Sequence, residues 1–393
     1  MPSPLLLDVS RLIWRTWRGQ LPTGIDRACL AYVSHYRARA HAVVQRGGFT
    51  RILDDEASAA LFSLLLEPPR DFRFRLVRLA MGQMVASDNH TGRQTDGLIY
   101  LNVGHTGLDR AGHRAWVRRT GVRALYYLHD LIPITHPQYA REGEAEKHAV
   151  RMETMLSCGA GIVANSRDSL AALADFAAQR GMALPPALCV PLGVEPFAIT
   201  REPGPPPFEG PYFITVGTLE GRKNHKTLLA VWRRLVARMG KGSPKLVIVG
   251  QRGWAADDLF RMLDEDETLR PHVIELGRCG DSELLACLSH ARALLFPSFV
   301  EGQGLPLTEA LAMGTPVIAS ALDVFRETAG DIPDYLDPQD EEGWLRAVLD
   351  YSAADSPRRA RQVERMVGFA PPDWPGHFLR VDAWLEEMAG SGR

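Results

Sequence analysis

Short, mostly apolar runs recur along the chain. They lie at residues 5–7, 98–101, 124–128 and 161–164, and again at 212–216, 246–249, 273–276, 293–296 and 317–319. Runs this short that do not alternate with polar residues predict strands buried on both faces. Longer segments with helical spacing separate them, and regular alternation of strand and helix predicts parallel sheets covered by helices on both sides. One stretch interrupts the rhythm. Residues 201–211 (Arg-Glu-Pro-Gly-Pro-Pro-Pro-Phe-Glu-Gly-Pro) cannot continue a helix or a central strand. The pattern therefore predicts an α/β protein of two doubly wound parallel-sheet domains, residues 1–200 and 212–372, joined by the linker 201–211. A helical segment follows at 373–393. Open sheets of this kind bind ligands at the carboxyl ends of their strands, so the strand ends of both halves are expected to face one crevice.

A chain of 393 residues suits two domains better than one, and 46% hydrophobic with 23% charged residues is an ordinary globular balance. No apolar stretch approaches the roughly 20 residues of a membrane-spanning helix. The opening Met-Pro-Ser-Pro-Leu-Leu-Leu-Asp reads as a first strand and not as a signal peptide. Five cysteines without C-x-x-C spacing predict free thiols, no zinc site and a cytoplasmic protein. The net charge of –2 hides an asymmetry: residues 1–200 hold 23 Lys and Arg against 18 Asp and Glu, the remainder 22 against 29. A basic front half favours an anionic acceptor or a peripheral position on the inner membrane face. No basic stripe interleaved with aromatics points to nucleic acid.

The candidate chemistry concentrates at residues 297–310, Pro-Ser-Phe-Val-Glu-Gly-Gln-Gly-Leu-Pro-Leu-Thr-Glu-Ala, between a predicted strand and a helix starting near Leu305. A loop leading into a helix N-terminus offers free N–H groups to an anion, and its glycines admit close approach of a ligand to the backbone. Glu301 falls in the loop and Glu309 about two turns into the helix, so both carboxylates are expected to face one cleft. Alone, the pair equally fits a tight turn with two solvated acids.

Its company changes the reading. Glu301 and Glu309, with Glu-Gly-Gln-Gly-Leu-Pro between them, resemble the E-x7-E signature of the retaining GT-B glycosyltransferases of family 4. Thr215-Val216-Gly217-Thr218-Leu219-Glu220-Gly221-Arg222-Lys223-Asn224 resembles that family's phosphate clamp. Val190-Pro191-Leu192-Gly193-Val194, Asn165-Ser166, His129-Asp130 and Thr23-Gly24-Ile25-Asp26 resemble its further landmarks, in the same order. The resemblance implies a GT-B fold whose last helix returns to the first domain. It also implies transfer of a sugar from a nucleotide-sugar donor, GDP- or UDP-linked, to a glycan or polyprenyl-linked acceptor in surface polysaccharide biosynthesis; a nucleotide-sugar epimerase of the same fold and an inactive glycosyltransferase-like scaffold are the alternatives.

On the matching positions, Arg222 and Lys223 would neutralise the donor diphosphate and the charge that grows as it leaves. Thr218 stands where many members carry another arginine, which puts more weight on this pair, and Lys223 is expected to be exposed. Glu309 would accept hydrogen bonds from the ribose hydroxyls. Glu301 would fix the donor sugar, and Gly302, Gln303, Gly304 and Leu305 would present backbone N–H groups. Gly24 would do the same from the first domain. His129 would touch sugar and phosphate, with Asp130 orienting backbone or histidine, and residues 278–281 would read the base. Asp264-Glu265-Asp266 contains the D-x-D of a metal clamp but lies on an acidic helical face and reads as solvated. No metal and no other cofactor are expected. The arginine-rich segment 70–81 fits an amphipathic surface helix as well as an ordinary one.

Overall fold

The computed structural model describes residues 5–85, 95–194, 202–254, 256–277 and 279–390. The chain divides into two compact units: Met1–Thr135 with Glu142–Leu192 and Pro375–Arg393, and His136–Arg141 with Gly193–Trp374.

The first unit is built on a seven-stranded sheet. Its strands in chain order are β1 (Leu5–Asp8), β2 (Ala40–Arg46), β3 (Phe49–Ile52), β4 (Ile99–Asn102), β5 (Arg123–Leu128), β6 (Gly159–Ala164) and β7 (Ala187–Cys189). They lie in the order β3-β2-β1-β4-β5-β6-β7. All neighbours are parallel except β2 and β3, which form an antiparallel edge hairpin. Its tight turn is Gly47-Gly48, with φ of +58° and +94°, a left-handed conformation that glycine adopts without steric cost. Apolar runs predicted four of these strands; β2 and β3 escaped because polar residues break their apolar character, and β7 because it is only three residues long.

The second unit carries a six-stranded, all-parallel sheet of β8 (Tyr212–Val216), β9 (Lys245–Val249), β10 (Val273–Leu276), β11 (Leu294–Phe296), β12 (Val317–Ser320) and β13 (Asp334–Leu336). Their order is β10-β9-β8-β11-β12-β13. The helices His225–Met239 and Glu341–Ser352 cover one face, burying Trp232 and Trp344 completely. Each buried indole donates to a carbonyl, that of Pro244 or Asp337, at 2.9 Å, so neither polar edge opposes burial.

In both sheets the chain steps outward from a central strand, then returns to its other side. This reversal lies between β1 and β4, and between β8 and β11. Loops leave the carboxyl ends of such a strand pair in opposite directions and open a crevice.

The helix Trp374–Gly390 contributes its residues from Pro375 onward to the first unit. His377 Nδ1 donates to the Pro191 carbonyl at 2.8 Å, which leaves Nε2 to accept from the Tyr32 hydroxyl at 3.0 Å. Asp382 accepts from Tyr36 at 2.9 Å and Arg39 at 2.6 Å, and Phe378 meets Tyr32 edge-on at 5.1 Å.

Candidate functional site

The two loops at the reversal of the second sheet are tied together by one asparagine. Asn224 adopts φ +56°, a left-handed conformation that asparagine tolerates better than most residues, and turns the chain into the helix His225–Met239. Its side-chain amide donates to the carbonyls of Pro297 at 3.1 Å and Pro338 at 2.8 Å, and its oxygen accepts from Thr227 at 2.9 Å. The loop after β8 is thereby held against the loop after β11. The phosphate-clamp resemblance included Asn224 without giving it this work.

Arg222, Lys223 and Glu301 meet on that frame. Arg222 Nη1 donates to Glu301 Oε2 at 2.8 Å and to the Val300 carbonyl at 3.2 Å, and its Nε to Glu220 at 3.2 Å. Lys223 Nζ pairs with Glu301 Oε1, which also accepts from Ser298 Oγ at 2.7 Å. The Lys223 ammonium lies 4.8 Å from the Phe296 ring centre. Lys223 is only 8% exposed, contrary to the sequence expectation, because Glu301 draws it inward from 78 residues away. Burial alone would raise the Glu301 pKa; the charges of Arg222 and Lys223 outweigh it and hold the carboxyl at about 2. Burial also lowers the Lys223 pKa, against the pull of Glu301.

The helix Leu305–Ala312 starts where the sequence placed it, with Gly304 at its N-cap. Glu309 is its fifth residue, a little over one turn in and not two. Its carboxylate is buried, at 2% exposure, as are Gln303 and Leu305; Gly302 is half-buried. Gly304 has φ +91°, and a Cβ there would come 2.6 Å from the Phe325 ring. The position excludes any side chain. Of residues 278–281, Arg278 lies outside the described residues, while Asp281 opens the helix Asp281–Ser289.

In the first unit, a cavity of about 930 Å³ opens at the reversal between β1 and β4, lined among others by Arg11, Arg46, His105, His129 and Asp130. His129 Nε2 donates to the Val103 carbonyl at 2.7 Å, His105 Nε2 to that of Tyr127 at 2.6 Å, and His148 Nε2 to that of Asp130 at 3.0 Å. Each carbonyl can only accept, so Nδ1 is the acceptor on all three rings in their neutral form. The His105 ring centre lies 5.1 Å from that of His129 and 6.0 Å from that of His148. Burial keeps all three neutral, driving His129 down to about 4 against the opposing pull of Asp130. The Asp130 carboxylate accepts from Ile132 N–H at 3.0 Å. His105 escaped sequence analysis, and its φ of +59° is the signal that singles it out, since a non-glycine residue held there at a cavity wall carries strain. Gly24 is the first residue of the helix Gly24–Tyr36, where backbone N–H groups have no partner within the helix. The preceding Thr23 and Asp26 form a capping box, and Asp26 pairs with Arg11 at 2.7 Å and with Arg15.

The D-x-D carboxylates serve arginines. Asp264 receives both Nη atoms of Arg252 at 2.6 and 2.8 Å, and Asp266 pairs with Arg233. Among the described residues no three His, Cys, Asp or Glu side chains group as a metal site.

Residues 197–361 match the family described as Glycosyl transferases group 1. The chain is also 29% identical over 251 residues to the "Serotype-specific mannosyltransferase WbdA" of Escherichia coli, a match covering 60% of this chain and 31% of that one. It is 34% identical over 145 residues to the "O-antigen chain mannosyltransferase B" of Escherichia coli, covering 37% and 38%. The chain thus spans about a third of the length of these curated relatives. The structure of Anabaena Alr3699/HepE in complex with UDP superposes with a TM-score of 0.66 at 15% identity, covering 98% of this chain and all of that one. Sucrose-phosphate synthase from Thermosynechococcus elongatus gives 0.64 at 18%, covering 99% and 100%. Residues 197–361 are thus similar to the group 1 glycosyltransferases, and the chain has a GT-B fold. The family match falls on the part of the chain that holds Arg222, Lys223, Glu301 and Glu309.

Proposed function

We propose that this protein is a retaining glycosyltransferase that moves a hexose, mannose foremost, from a nucleotide-diphospho-sugar to a glycan acceptor of a surface polysaccharide. The observation that carries the reading is the buried Glu301–Arg222–Lys223 cluster at the sheet reversal of the second unit. Two cations beside a helix N-terminus suit a diphosphate leaving group, whose growing charge they stabilise without a divalent metal. Glu220 and Glu301 pair with both cations, so an arriving diphosphate must share them with these carboxylates. Glu301, kept ionised, sits beside the reacting sugar and stabilises its positive character. Glu309 holds the ribose. In the cavity of the first unit, His129, neutral and with Nδ1 as acceptor, suits sugar hydroxyls. The names of the mannosyltransferase relatives support mannose as the sugar, and the UDP complex of a structural relative supports a nucleoside diphosphate leaving group.

None of the five cysteines is in a disulfide, and no helix among the described residues is long and apolar enough to cross a membrane. Both support a cytoplasmic site of action, and the basic first half supports peripheral contact with an anionic membrane. Incubation with GDP-mannose, UDP-glucose and related donors, with and without acceptor glycans, tests the reading through the anomeric configuration of the product. Full activity should survive EDTA. Loss of turnover in EDTA restored by Mg²⁺ or Mn²⁺ would show that the two cations do not suffice.

A further inference from the structure

A second hollow of the first unit, also about 930 Å³, lies beside the His129 cavity. The helices Ser10–Trp17 and Phe72–Val85 and the β2–β3 hairpin frame it, and Ile13, Trp17, Val44, Leu61, Leu76 and Val77 supply apolar walls. Arg73 ties the two helices together, donating to the Trp17 carbonyl at 2.8 Å with its guanidinium 5.6 Å from the Trp17 ring. Apolar side chains stay open to solvent along this hollow, with Phe49 84% and Val77 43% exposed. It shares Trp14, Gln45, Arg46, Gly47, Phe49 and Thr50 with the His129 cavity, so the two meet along one border. The cavity side of that border is cationic: six arginines line it against three carboxylates, Asp109, Asp130 and Glu144.

We propose that this groove binds the hydrocarbon chain of a lipid-linked acceptor, with the phosphate head at Arg46 on the shared border and the sugar in the His129 cavity. The sugar's fate rests on the glycosyltransferase reading; binding of the chain does not. An apolar channel ending at a cluster of cations has the charge pattern complementary to an amphiphile with an anionic head. A peptide would need partners for its backbone N–H and C=O groups. The groove offers few, and the Gln45 side chain is already committed to Asp8, Tyr100 and the Thr106 carbonyl. Its volume lies at the upper end of the roughly 300–1,000 Å³ typical of small-molecule sites.

The test uses the full chain with octyl phosphate, decyl phosphate and inorganic phosphate below their micellar concentrations. Binding is read by tryptophan fluorescence, since Trp14 and Trp17 line the groove, and by calorimetry. Each added methylene should tighten binding about fourfold, so decyl phosphate should bind about fifteenfold tighter than octyl phosphate. Val77→Asp and Phe49→Asp, at exposed positions that spare the fold, should each weaken decyl phosphate at least tenfold. Arg46→Glu should weaken decyl phosphate more than decanol. Equal affinity for the two chain lengths, or unchanged binding in both aspartate variants, overturns the proposal. So does a response to anionic vesicles without one to monomeric alkyl phosphates. Nucleotide binding is measured on the same samples. Chain-dependent alkyl phosphate binding without any nucleotide binding would keep the groove and remove the glycosyltransferase reading.

Discussion

Replacing Lys223 by alanine separates structure from chemistry within one side chain. Holding Glu301 at about 2 instead of 4.5 corresponds to about 3 kcal/mol in favour of its charged form. Arg222 and Ser298 remain in the variant, so roughly half of that survives and about 1–2 kcal/mol is lost. Losing the buried alkyl stem beside Phe296 adds about 1 kcal/mol, and relief of the ammonium's own desolvation returns a comparable amount. The net expectation is a loss of about 1–2 kcal/mol, or about 3–6 °C in Tm for a unit of this size. Glu301 has a depressed folded-state pKa, so its contribution is complete above 4.5 and disappears as the pH falls toward about 2. The Tm gap between wild type and Lys223→Ala should close over that window. Adding Glu301→Gln in the variant should cost at least about 1 kcal/mol less than in wild type. Donor turnover, assayed well below the lower Tm, should fall roughly 10²-fold or more in kcat/KM. Calorimetric melts and initial rates give both numbers. A variant that melts with wild type at neutral pH would refute the buried pair, and one that turns over normally would remove Lys223 from the chemistry.

Glu309→Gln should weaken nucleotide binding by about 1–3 kcal/mol by calorimetry, the scale of a charge-assisted bond; unchanged affinity would place the ribose elsewhere. Gly304→Ala should destabilise by about 2 kcal/mol or more in urea melts, since its Cβ would meet Phe325 at 2.6 Å with φ at +91°; wild-type stability would show that the loop yields. His113, His129 and His377, each lowered by burial to about 4, are neutral when folded but take protons near 6.5 when unfolded. Stability should therefore drop as pH falls from 6.5 toward 4, by on the order of 1–2 kcal/mol per histidine at pH 5; a Tm flat from pH 7 to 5 would contradict their burial.

Features carried by local residue order were legible in the chain. The apolar runs of β8, β9, β11 and β12 announced buried strands, and Gly304-Leu305-Pro306 announced a helix start. The glutamate spacing and the Arg222-Lys223-Asn224 turn marked the loops that converge in the second unit. What escaped depends on partners far away in sequence. The burial of Lys223 follows from Glu301, and the tether at Asn224 from carbonyls at 297 and 338. The β2–β3 hairpin lies at an edge, where one face need not be apolar, so no unbroken run marks it. His105 stands out only through its backbone angle, which residue order does not reveal.

The connectivity of the two units bears on how such a chain is recombined. The backbone passes between them four times, at 135/136, 141/142, 192/193 and 374/375. A chimera spliced at residue 192 alone would strip Tyr32, Tyr36 and Arg39 of the C-terminal helix that covers them, and would leave residues 136–141 behind as an orphan of the unit removed. An exchange that keeps both halves intact has to match two seams, at 193 and 374, and carry the 136–141 insert with the incoming unit. Tyr139, stacked on Phe299 of the Glu301 loop with ring centres 5.7 Å apart, makes that six-residue insert part of what a transplant of the second unit must carry.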